Sequence, residues 1–474
     1  MTILPRDPAA NRTPDALRAF LRECQSAAVR AGRPQLVSIS LAVDALDPLA
    51  VLESIFEPGQ RHFYAERPEE RMAVAGAEAV FAFAANGPGR FAACQRFIDE
   101  TLGNTLAVGD LSLPFSGPHF FTAFAFFDSV GPDEAFEAAT VFVPRWQVGR
   151  QGGRTVAVAN VVVDAASPVD ALAEKVWRAH AKFSAFDYSA PDFAGLPPVR
   201  PVSIAEAGGE KTYPEAVRAA LGQIAKGGLE KIVLARAKDL TAQEPFHPLS
   251  VLNGLRQRFP DCCSFSLANG RGQSFIGASP ERLLRVRAGG LLTDAQAGSV
   301  RRGATASEDA ALAAGLLRDE KELREHRLVT ASIAGSMGSI GIQLEYPDRP
   351  AVRRLANVQH LHTPMRADLP PDRRLLDVLA RLHPTAAVGG VPREAALAGI
   401  REGEGFARGL YAGAVGWIDA KGDGEFFVAL RSALIDGARA RLYAGGGIVA
   451  GSQPEKEFAE TELKFRAMQE ALLG

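Results

Sequence analysis

The chain has little cysteine and no excess of charge of one sign. Its four cysteines fit neither a zinc-ligand spacing nor a disulfide framework, so we expect a reducing, cytoplasmic setting. Lysine and arginine total 53, and aspartate and glutamate total 55. Because this balance creates no strong field, neither nucleic acid nor an anionic membrane is indicated as a partner.

Long hydrophobic segments are also missing. No apolar run reaches the roughly 18 residues needed to span a membrane, and the polar, proline-bearing start does not resemble a signal peptide. What is present, 47% hydrophobic and 23% charged residues, is typical of a soluble globular protein. The length of 474 residues suggests roughly three domains, although single folds of this size exist.

Hydrophobic periodicity predicts more strands than helices in the first half. A helix is expected over residues 13–31, capped by Thr13 and ended by Gly32. Further elements are predicted in two groups: helices near 47–56 and 168–183, and strands near 37–43, 71–75, 78–84, 119–127, 139–148 and 154–163. The proline-rich segment 187–203 is either a domain boundary or a surface crossing within one large fold.

The second half alternates strands, turns and helices irregularly. A helix is predicted over residues 213–226, followed by strands and turns up to residue 282 and by two helices over about 307–336. A last helix follows the glycine run 445–447. Short connections without regular βαβ alternation indicate an α+β fold.

Two of the predicted helices carry paired carboxylates. Glu457 and Glu460 lie on one helical face with Lys464, and Glu322 and Glu325 repeat the i, i+3 spacing on another helix. Carboxylate pairs of this kind bind Mg²⁺ through oxygen and leave positions for a substrate. The competing interpretation is a solvated helix with an ordinary Glu460–Lys464 surface pair.

Three single charged residues lie in apolar surroundings. Lys231, at the start of a strand, is either a snorkelling edge lysine or a buried general base. Glu281, after a Ser-Pro turn, is either paired with Arg282 or kept protonated as a general acid. Arg431, in an apolar strand, binds either an acid of the sheet or a substrate carboxylate.

The segment 445–450 also matches the dinucleotide-binding pattern G-x-G-x-x-A. That fold needs a further βαβ unit and an acidic residue about 20 residues later. Only a predicted helix follows Ala450, so we reject this interpretation.

A series of short motifs resembles the chorismate-utilising enzymes, and most closely the isochorismate synthases among them. In chain order the motifs are KIVLAR (231–236), GASPER (277–282), AGS (297–299), KELREH (321–326), VQHL (358–361), HPTAAVGG (383–390), LYAG (410–413), ALR (429–431) and the glycine run with its helix. The resemblance is strong over 205–474 and loose before it. It implies an anthranilate synthase large-subunit-like fold, in which large, mostly antiparallel β-sheets pack together with helices outside. We expect a divergent N-terminal half (1–203) and a chorismate-binding catalytic region (204–474).

The resemblance also implies roles for individual residues. It implies that Mg²⁺ is bound by Glu325 and Glu457, with Glu322 and Glu460 supporting them directly or through water. The residues that it places against chorismate are His360, Ala387, Tyr411, Arg431, Gly445 and Lys464. Gly445 and Lys464 are expected at the ring carboxylate that Mg²⁺ holds, and Tyr411 and Arg431 at the enolpyruvyl carboxylate.

Three positions favour one member of the family, and a fourth, Ser299, is neutral. Lys231 replaces the glutamine of the ammonia-using relatives, so water is the expected nucleophile. Ala297 replaces the nucleophilic lysine of aminodeoxychorismate synthases, and Ala387 replaces the threonine usual in members that eliminate pyruvate. Ser299 replaces a threonine but keeps its hydroxyl. Together these residues predict that the reaction stops at isochorismate.

The implied catalytic pair is Lys231 and Glu281. Lys231 would deprotonate water for attack on C2 of chorismate, and Glu281 would protonate the departing C4 hydroxyl. The base must be neutral when it acts, so burial or Mg²⁺ has to disfavour its ammonium form.

Several alternatives stay open at this stage. One is a salicylate synthase, and another is a non-catalytic, chorismate-binding regulatory subunit. The isochorismate could serve menaquinone, a catechol siderophore or salicylate, and the longer N-terminal half favours menaquinone. We expect a monomer without a glutamine amidotransferase subunit.

Overall fold

The structure, a computed structural model, describes residues 4–6, 13–196, 198–208 and 212–474. Its helices are α1 (Pro14–Ala31), α2 (Pro48–Ser54), α3 (Arg90–Gly103), α4 (Val169–Ala185), α5 (Tyr213–Ala225), α6 (Pro248–Arg258), α7 (Ala306–Leu316), α8 (Glu320–Gly338), α9 (Leu375–Leu382), α10 (Arg393–Gly403) and α11 (Pro454–Leu473). A short 3₁₀ helix covers Pro68–Glu70.

The strands fall into two series along the chain. Those before residue 200 are β1 (Leu4–Arg6), β2 (Gln35–Val43), β3 (Arg61–Arg67), β4 (Met72–Ala85), β5 (Thr105–Val108), β6 (His119–Phe124), β7 (Ala139–Gln151) and β8 (Arg154–Val163). The later ones are β9 (Pro201–Ala207), β10 (Lys231–Ala242), β11 (Cys263–Asn269), β12 (Gln273–Ser279), β13 (Arg282–Arg287), β14 (Gly290–Arg301), β15 (Ala351–Arg354), β16 (Val358–Asp368), β17 (Gly390–Val391), β18 (Ala414–Asp419), β19 (Gly424–Val428), β20 (Ser432–Asp436) and β21 (Arg439–Val449).

The strands form one continuous hydrogen-bonded network. All its pairings are antiparallel except those of β5 with β1 and β2, which are parallel. The predicted α+β architecture of large antiparallel sheets with helices is confirmed.

Two pairings join the N-terminal and C-terminal parts of the chain. β3 pairs with β11, and β6 pairs with β18. Arg256 on α6 adds an ionic contact, because its Nη2 lies 2.6 Å from Asp47 Oδ2 and its Nη1 lies 3.3 Å from Glu66 Oε2. The boundary at residue 203 stays a prediction, and β9 runs from residue 201 to 207 across it.

Local sequence signals explain most elements of the first half. The Thr13 hydroxyl accepts a hydrogen bond from Ala16 N, and Gly32 ends α1 with φ +64°. The two strands predicted near 71–75 and 78–84 are instead one strand, β4, with a register shift between Ala79 and Phe81. A β-bulge of this kind interrupts the alternation of side chains, so it looks like a break in the sequence.

One helix of the second half contradicts the sequence-based prediction. The prediction of strands and turns up to residue 282 is wrong over residues 248–258, which form α6. Leu249, Leu252 and Leu255 are fully buried at a spacing of three residues, which is the helical signal. Across the described residues, no helix combines the length and the apolarity required to cross a bilayer.

Candidate active site

One cleft gathers nearly all the predicted site residues. It contains about 980 Å³ of space free of protein atoms, part of it open to solvent. The predicted residues that line it are Glu281, Glu322, Glu325, His360, Ala387, Tyr411, Arg431, Gly445, Glu457, Glu460 and Lys464. Lys231 lies directly behind this wall and contacts Glu325. The structure thus unites residues that are up to about half the chain apart in sequence.

Helix α8 places two of the carboxylates. Asp319 caps its N-terminus, because Asp319 Oδ1 accepts hydrogen bonds from Lys321 N at 2.9 Å and Glu322 N at 3.2 Å. Glu322 and Glu325 follow in the first two turns, where the helix dipole favours negative charge. Glu325 is buried and Glu322 accepts a hydrogen bond from Ser299 N at 3.0 Å, so neither carboxylate is a freely solvated surface group.

Helix α11 places the other two carboxylates. Pro454 starts the helix, and Glu457 in its first turn is 3% exposed. Glu460 pairs with Lys464 at 2.8 Å as predicted, but both side chains line the cleft. Burial alone would raise the pKa of Glu460, yet Lys464 lowers it, so this carboxyl is ionised at neutral pH.

Lys321 is a member of the site that the sequence reasoning missed. Its Nζ lies 3.1 Å from Glu457 Oε1 on α11 and 3.5 Å from Glu322 Oε1 on its own helix. Burial and the neighbouring Glu325 raise the pKa of Glu322. Lys321 immediately precedes Glu322 in the KELREH motif, and this position is the sequence feature that could have identified it as a site residue.

The donor set suits a hard divalent cation. Among the described residues, no three His, Cys, Asp or Glu side chains are arranged as a metal site. Instead, ammonium groups hold the carboxylates: Lys231 pairs with Glu325, and Lys321 pairs with Glu457. Carboxylate oxygens from two helices around one cleft, neutralised here by lysines, fit Mg²⁺ by their chemistry.

Lys231 is the first residue of β10 and is fully buried. Its Nζ lies 2.9 Å from Glu325 Oε1, so the interpretation as a snorkelling edge lysine is wrong. The contact depends on Gly447 of β21, because a Cβ there would lie 2.2 Å from Glu325 Oε1 and 3.2 Å from Lys231 Cε. This explains a glycine inside a strand.

Glu281 lies between β12 and β13 and is 4% exposed. Burial raises its pKa to about 8, Asp294 adds to the rise, and Lys231 opposes it. The carboxyl is therefore mainly protonated at pH 7. Its neighbour Arg282 pairs with Glu425 at 3.0 Å instead, so the interpretation as a local turn pair is wrong.

Arg431 is available to an anionic ligand. Its backbone has φ +46°, and its Nη1 lies 3.7 Å from Cys262 Sγ. Within the described residues it forms no ion pair with a carboxylate, which removes the interpretation as a salt bridge of the sheet. Because the Arg431 guanidinium lines the cleft and has no carboxylate partner there, it can bind a substrate carboxylate.

The remaining predicted contacts surround the same space. The ring of Tyr411 stacks on Tyr443 with centroids 5.1 Å apart, and burial raises the pKa of its hydroxyl. His360 Nδ1 lies 3.0 Å from Ser299 Oγ, and burial lowers the pKa of the imidazole well below its usual range. Lys464 Nζ donates a hydrogen bond to Gly445 O at 2.8 Å.

A buried ion pair behind the cleft was not anticipated. Arg408 lies 2.6 Å from Glu404 and donates hydrogen bonds to Val233 O at 2.8 Å and Val388 O at 3.1 Å. These bonds tie β10 to the segment that carries Ala387. No local spacing in the sequence distinguishes Arg408 from a surface arginine.

Comparison with known proteins shows the family to which the chain belongs. A family described as chorismate binding enzyme matches residues 20–473. The chain belongs to this family. It is 37% identical to the salicylate biosynthesis isochorismate synthase of Pseudomonas aeruginosa, over 96% of this chain and 94% of that one. It is 33% identical to the isochorismate synthase MenF of Bacillus subtilis, over 93% and 94% of the two chains.

Solved structures of family members share the fold. The menaquinone-specific isochorismate synthase MenF of Escherichia coli superposes with a TM-score of 0.75 at 28% identity, covering 96% of this chain and 100% of that one. Anthranilate synthase component I of Streptococcus pneumoniae has a TM-score of 0.68 at 23% identity, covering 84% and 92%. The resemblance noted from the motifs is confirmed.

Proposed function

We propose that this chorismate-binding enzyme is an isochorismate synthase that reversibly converts chorismate to isochorismate. The observation that carries the proposal is the pair formed by Lys231 and Glu281. One is a buried lysine ion-paired with Glu325 and the other a buried, mainly protonated carboxyl, and they lie at a cleft equipped for an anionic substrate. For concerted acid–base work the carboxyl must carry its proton, and the lysine must first release one of its own.

The reaction exchanges one hydroxyl for another. Lys231 takes a proton from water, and the hydroxide oxygen forms a bond to C2 of chorismate. The ring double bonds shift, and the C4–O bond breaks as Glu281 delivers its proton to the leaving hydroxyl, which departs as water. Substrate and product are isomers of similar energy, so the same groups run the reverse reaction with their roles exchanged.

The charged walls orient the substrate. We assign Arg431 and Tyr411 to the enolpyruvyl carboxylate, and Lys464 and Gly445 to the ring carboxylate, with His360 beside the ring. Mg²⁺ would be held by Glu325 and Glu457, supported by Glu322 and Glu460, and when bound it would neutralise the ring carboxylate.

The product assignment rests on Ala387. This residue offers only a methyl group to the cleft, where relatives that eliminate pyruvate usually carry a hydroxyl. We therefore propose that isochorismate is released rather than converted to salicylate.

We assign this isochorismate to menaquinone synthesis. A strain that lacks the gene should lose menaquinone. Loss of a catechol siderophore alone would contradict the assignment.

The direct test of the base is Lys231→Ala. We expect isochorismate formation to fall by about 10² to 10⁴-fold, the usual contribution of a general base. The matched control is Lys226→Ala, because Lys226 is exposed after α5 and should leave the rate unchanged. Isochorismate formation at the wild-type rate by the Lys231 variant would show that the assignment is wrong.

A further inference from the structure

A second cavity lies in the N-terminal half and shares no lining residue with the acidic cleft. It lies among α2, α4 and the strands β4, β7 and β8. It contains about 1500 Å³ of space free of protein atoms, part of it open to solvent, so it is larger than the cleft. The proposed reaction uses none of it.

The floor and sides of this cavity are mainly apolar and aromatic. Val148 and Val158 of the sheet are buried beneath it. Trp146, Phe183 and Tyr188 also line it, and the rings of Phe183 and Tyr188 lie 6.2 Å apart at 59°. Aromatic walls favour a flat ring, because offset and edge-to-face contacts stabilise it beyond the burial of its area.

One side of the cavity is basic. Lys175, Arg178 and Lys182 of α4 line it at a spacing of three and four residues. Lys175 Nζ lies over the Trp146 ring, 5.9 Å from its centroid. Within the described residues, neither Lys175 nor Lys182 forms an ion pair, and Arg178 has only an exposed contact of 3.5 Å with Glu174.

Two acidic residues also line the cavity, Glu57 and Glu78. Glu78 of β4 pairs with Arg145 at 2.9 Å and accepts a hydrogen bond from Trp146 Nε1 at 3.1 Å. Among the described residues Glu57 forms no ion pair, but it is a single exposed acid against the three cations of α4, so the net charge presented to a ligand is positive.

His180 also lines the cavity but offers it no hydrogen-bonding group. The residue is 8% exposed, and both of its ring nitrogens are buried from solvent, without a hydrogen-bond partner among the described residues. Recognition of an anion in this cavity therefore falls to the lysine and arginine side chains of α4.

We propose that this cavity binds an aromatic carboxylate, with its ring between Trp146, Phe183 and Tyr188 and its carboxylate toward Lys175, Arg178 and Lys182. A phosphate-sized anion would leave the apolar walls uncovered, and a neutral apolar molecule would leave the three cations unused. A rigid ring also loses less conformational entropy on binding than an alkyl chain does. The site is separate from the proposed catalytic one.

The test is calorimetric titration of the full chain with 1-naphthoate in the presence of a chelator. The charge-reversed double variant Lys175→Glu/Arg178→Glu should bind at least tenfold more weakly. Lys226→Glu is the matched control with unchanged binding, because Lys226 is exposed and outside the cavity. Since all three substituted side chains lie at the surface of helices, thermal unfolding should verify that each variant is folded.

Two further comparisons decide the location and the class of ligand. Arg431→Ala should keep the affinity for 1-naphthoate. If this variant lost the affinity, the ligand would lie in the catalytic cleft and the proposal would be overturned. The neutral analogue 1-naphthalenemethanol should bind at least tenfold more weakly than 1-naphthoate. If decanoate bound as tightly as 1-naphthoate, the aromatic class of ligand would be contradicted. If the wild type did not bind 1-naphthoate, or if the double variant bound it as tightly as the wild type, the proposed site would be overturned.

Discussion

At the scale of single residues, burial gives Glu281 the protonated state that the proposed chemistry needs. Glu281 is 4% exposed, and its environment raises its pKa to about 8. Lys231 is fully buried against Glu325. The sequence identified both residues through their motifs. It could not show their burial, because that depends on strands and helices distant in the chain.

The raised pKa of Glu281 predicts a trade between activity and stability in Glu281→Gln. The folded protein favours the protonated carboxyl, so the contribution of Glu281 to stability is fully present below the reference pKa of 4.5 and is lost as pH rises to about 8. The slope is about 1.4 kcal/mol per pH unit. Since the substituted glutamine amide does not ionise, the variant should be more stable than wild type by about 2 kcal/mol or more at pH 8, as measured by denaturant unfolding.

The same substitution should remove the acid and reduce isochorismate formation by about 10² to 10⁴-fold. In the wild type, activity should fall as pH rises above about 8, because the acid then loses its proton. A Glu281→Gln protein that is fully active, or a wild-type rate that keeps rising far above pH 8, would contradict the role of Glu281.

Gly447 is predicted to be intolerant of any side chain. The methyl group of Gly447→Ala would lie 2.2 Å from Glu325 Oε1, so the Lys231–Glu325 contact must move. Activity should fall at least tenfold while the chain still folds. The control is Gly222→Ala in α5, where a methyl group meets nothing within 4 Å and should stabilise the helix by about 0.5–1 kcal/mol. Equal activity of the two variants would contradict this account.

At the scale of elements, the site depends on two helix starts that face one another. The i, i+3 spacing predicted that Glu322 and Glu325 share a face, as do Glu457 and Glu460. It could not predict that α8 and α11 meet, since more than a hundred residues separate them. Lys321, which connects the two helices through Glu457, was therefore missed as a site residue.

The meeting of the two helices predicts how Mg²⁺ binds. Glu457→Ala should weaken Mg²⁺ binding at least tenfold, measured by calorimetry without substrate, because it removes a proposed ligand. Glu455→Ala is the control: this carboxylate lies in the same first turn but pairs with Arg218 at the surface. Chelator should abolish wild-type activity and added Mg²⁺ should restore it, whereas full activity in chelator would refute the metal requirement.

At the scale of the whole molecule, the N-terminal half is built into the catalytic sheets through the β3–β11 and β6–β18 pairings. An aromatic-rich apolar run predicted β6, a further strand was predicted at the start of β7, and the resemblance of the motifs implied the antiparallel fold. The register and the partner of each strand could not be predicted, because they are decided by side chains packed across the completed core. The bulge in β4 and the helix α6 show how local pattern fails at such points.

The contact between the halves predicts a large stability effect for Arg256→Ala. This change leaves the buried Asp47 without its ion-pair partner and leaves Glu66 with only the 3.5 Å contact to Arg150, which should cost about 3–5 kcal/mol. Arg218→Ala breaks only an exposed pair with Glu455 and should cost less than about 1 kcal/mol. Denaturant unfolding measures both, and similar small costs would show that Arg256 does not hold the halves together.

The most direct test of the proposed function is incubation of the full chain with chorismate and Mg²⁺ in H₂¹⁸O, followed by mass spectrometry. We predict isochorismate that carries one ¹⁸O at C2, with no salicylate or pyruvate formed. Unlabelled isochorismate would contradict water as the nucleophile. Salicylate with pyruvate would contradict the assigned end point, and recovery of unchanged, unlabelled chorismate would contradict the catalytic role itself.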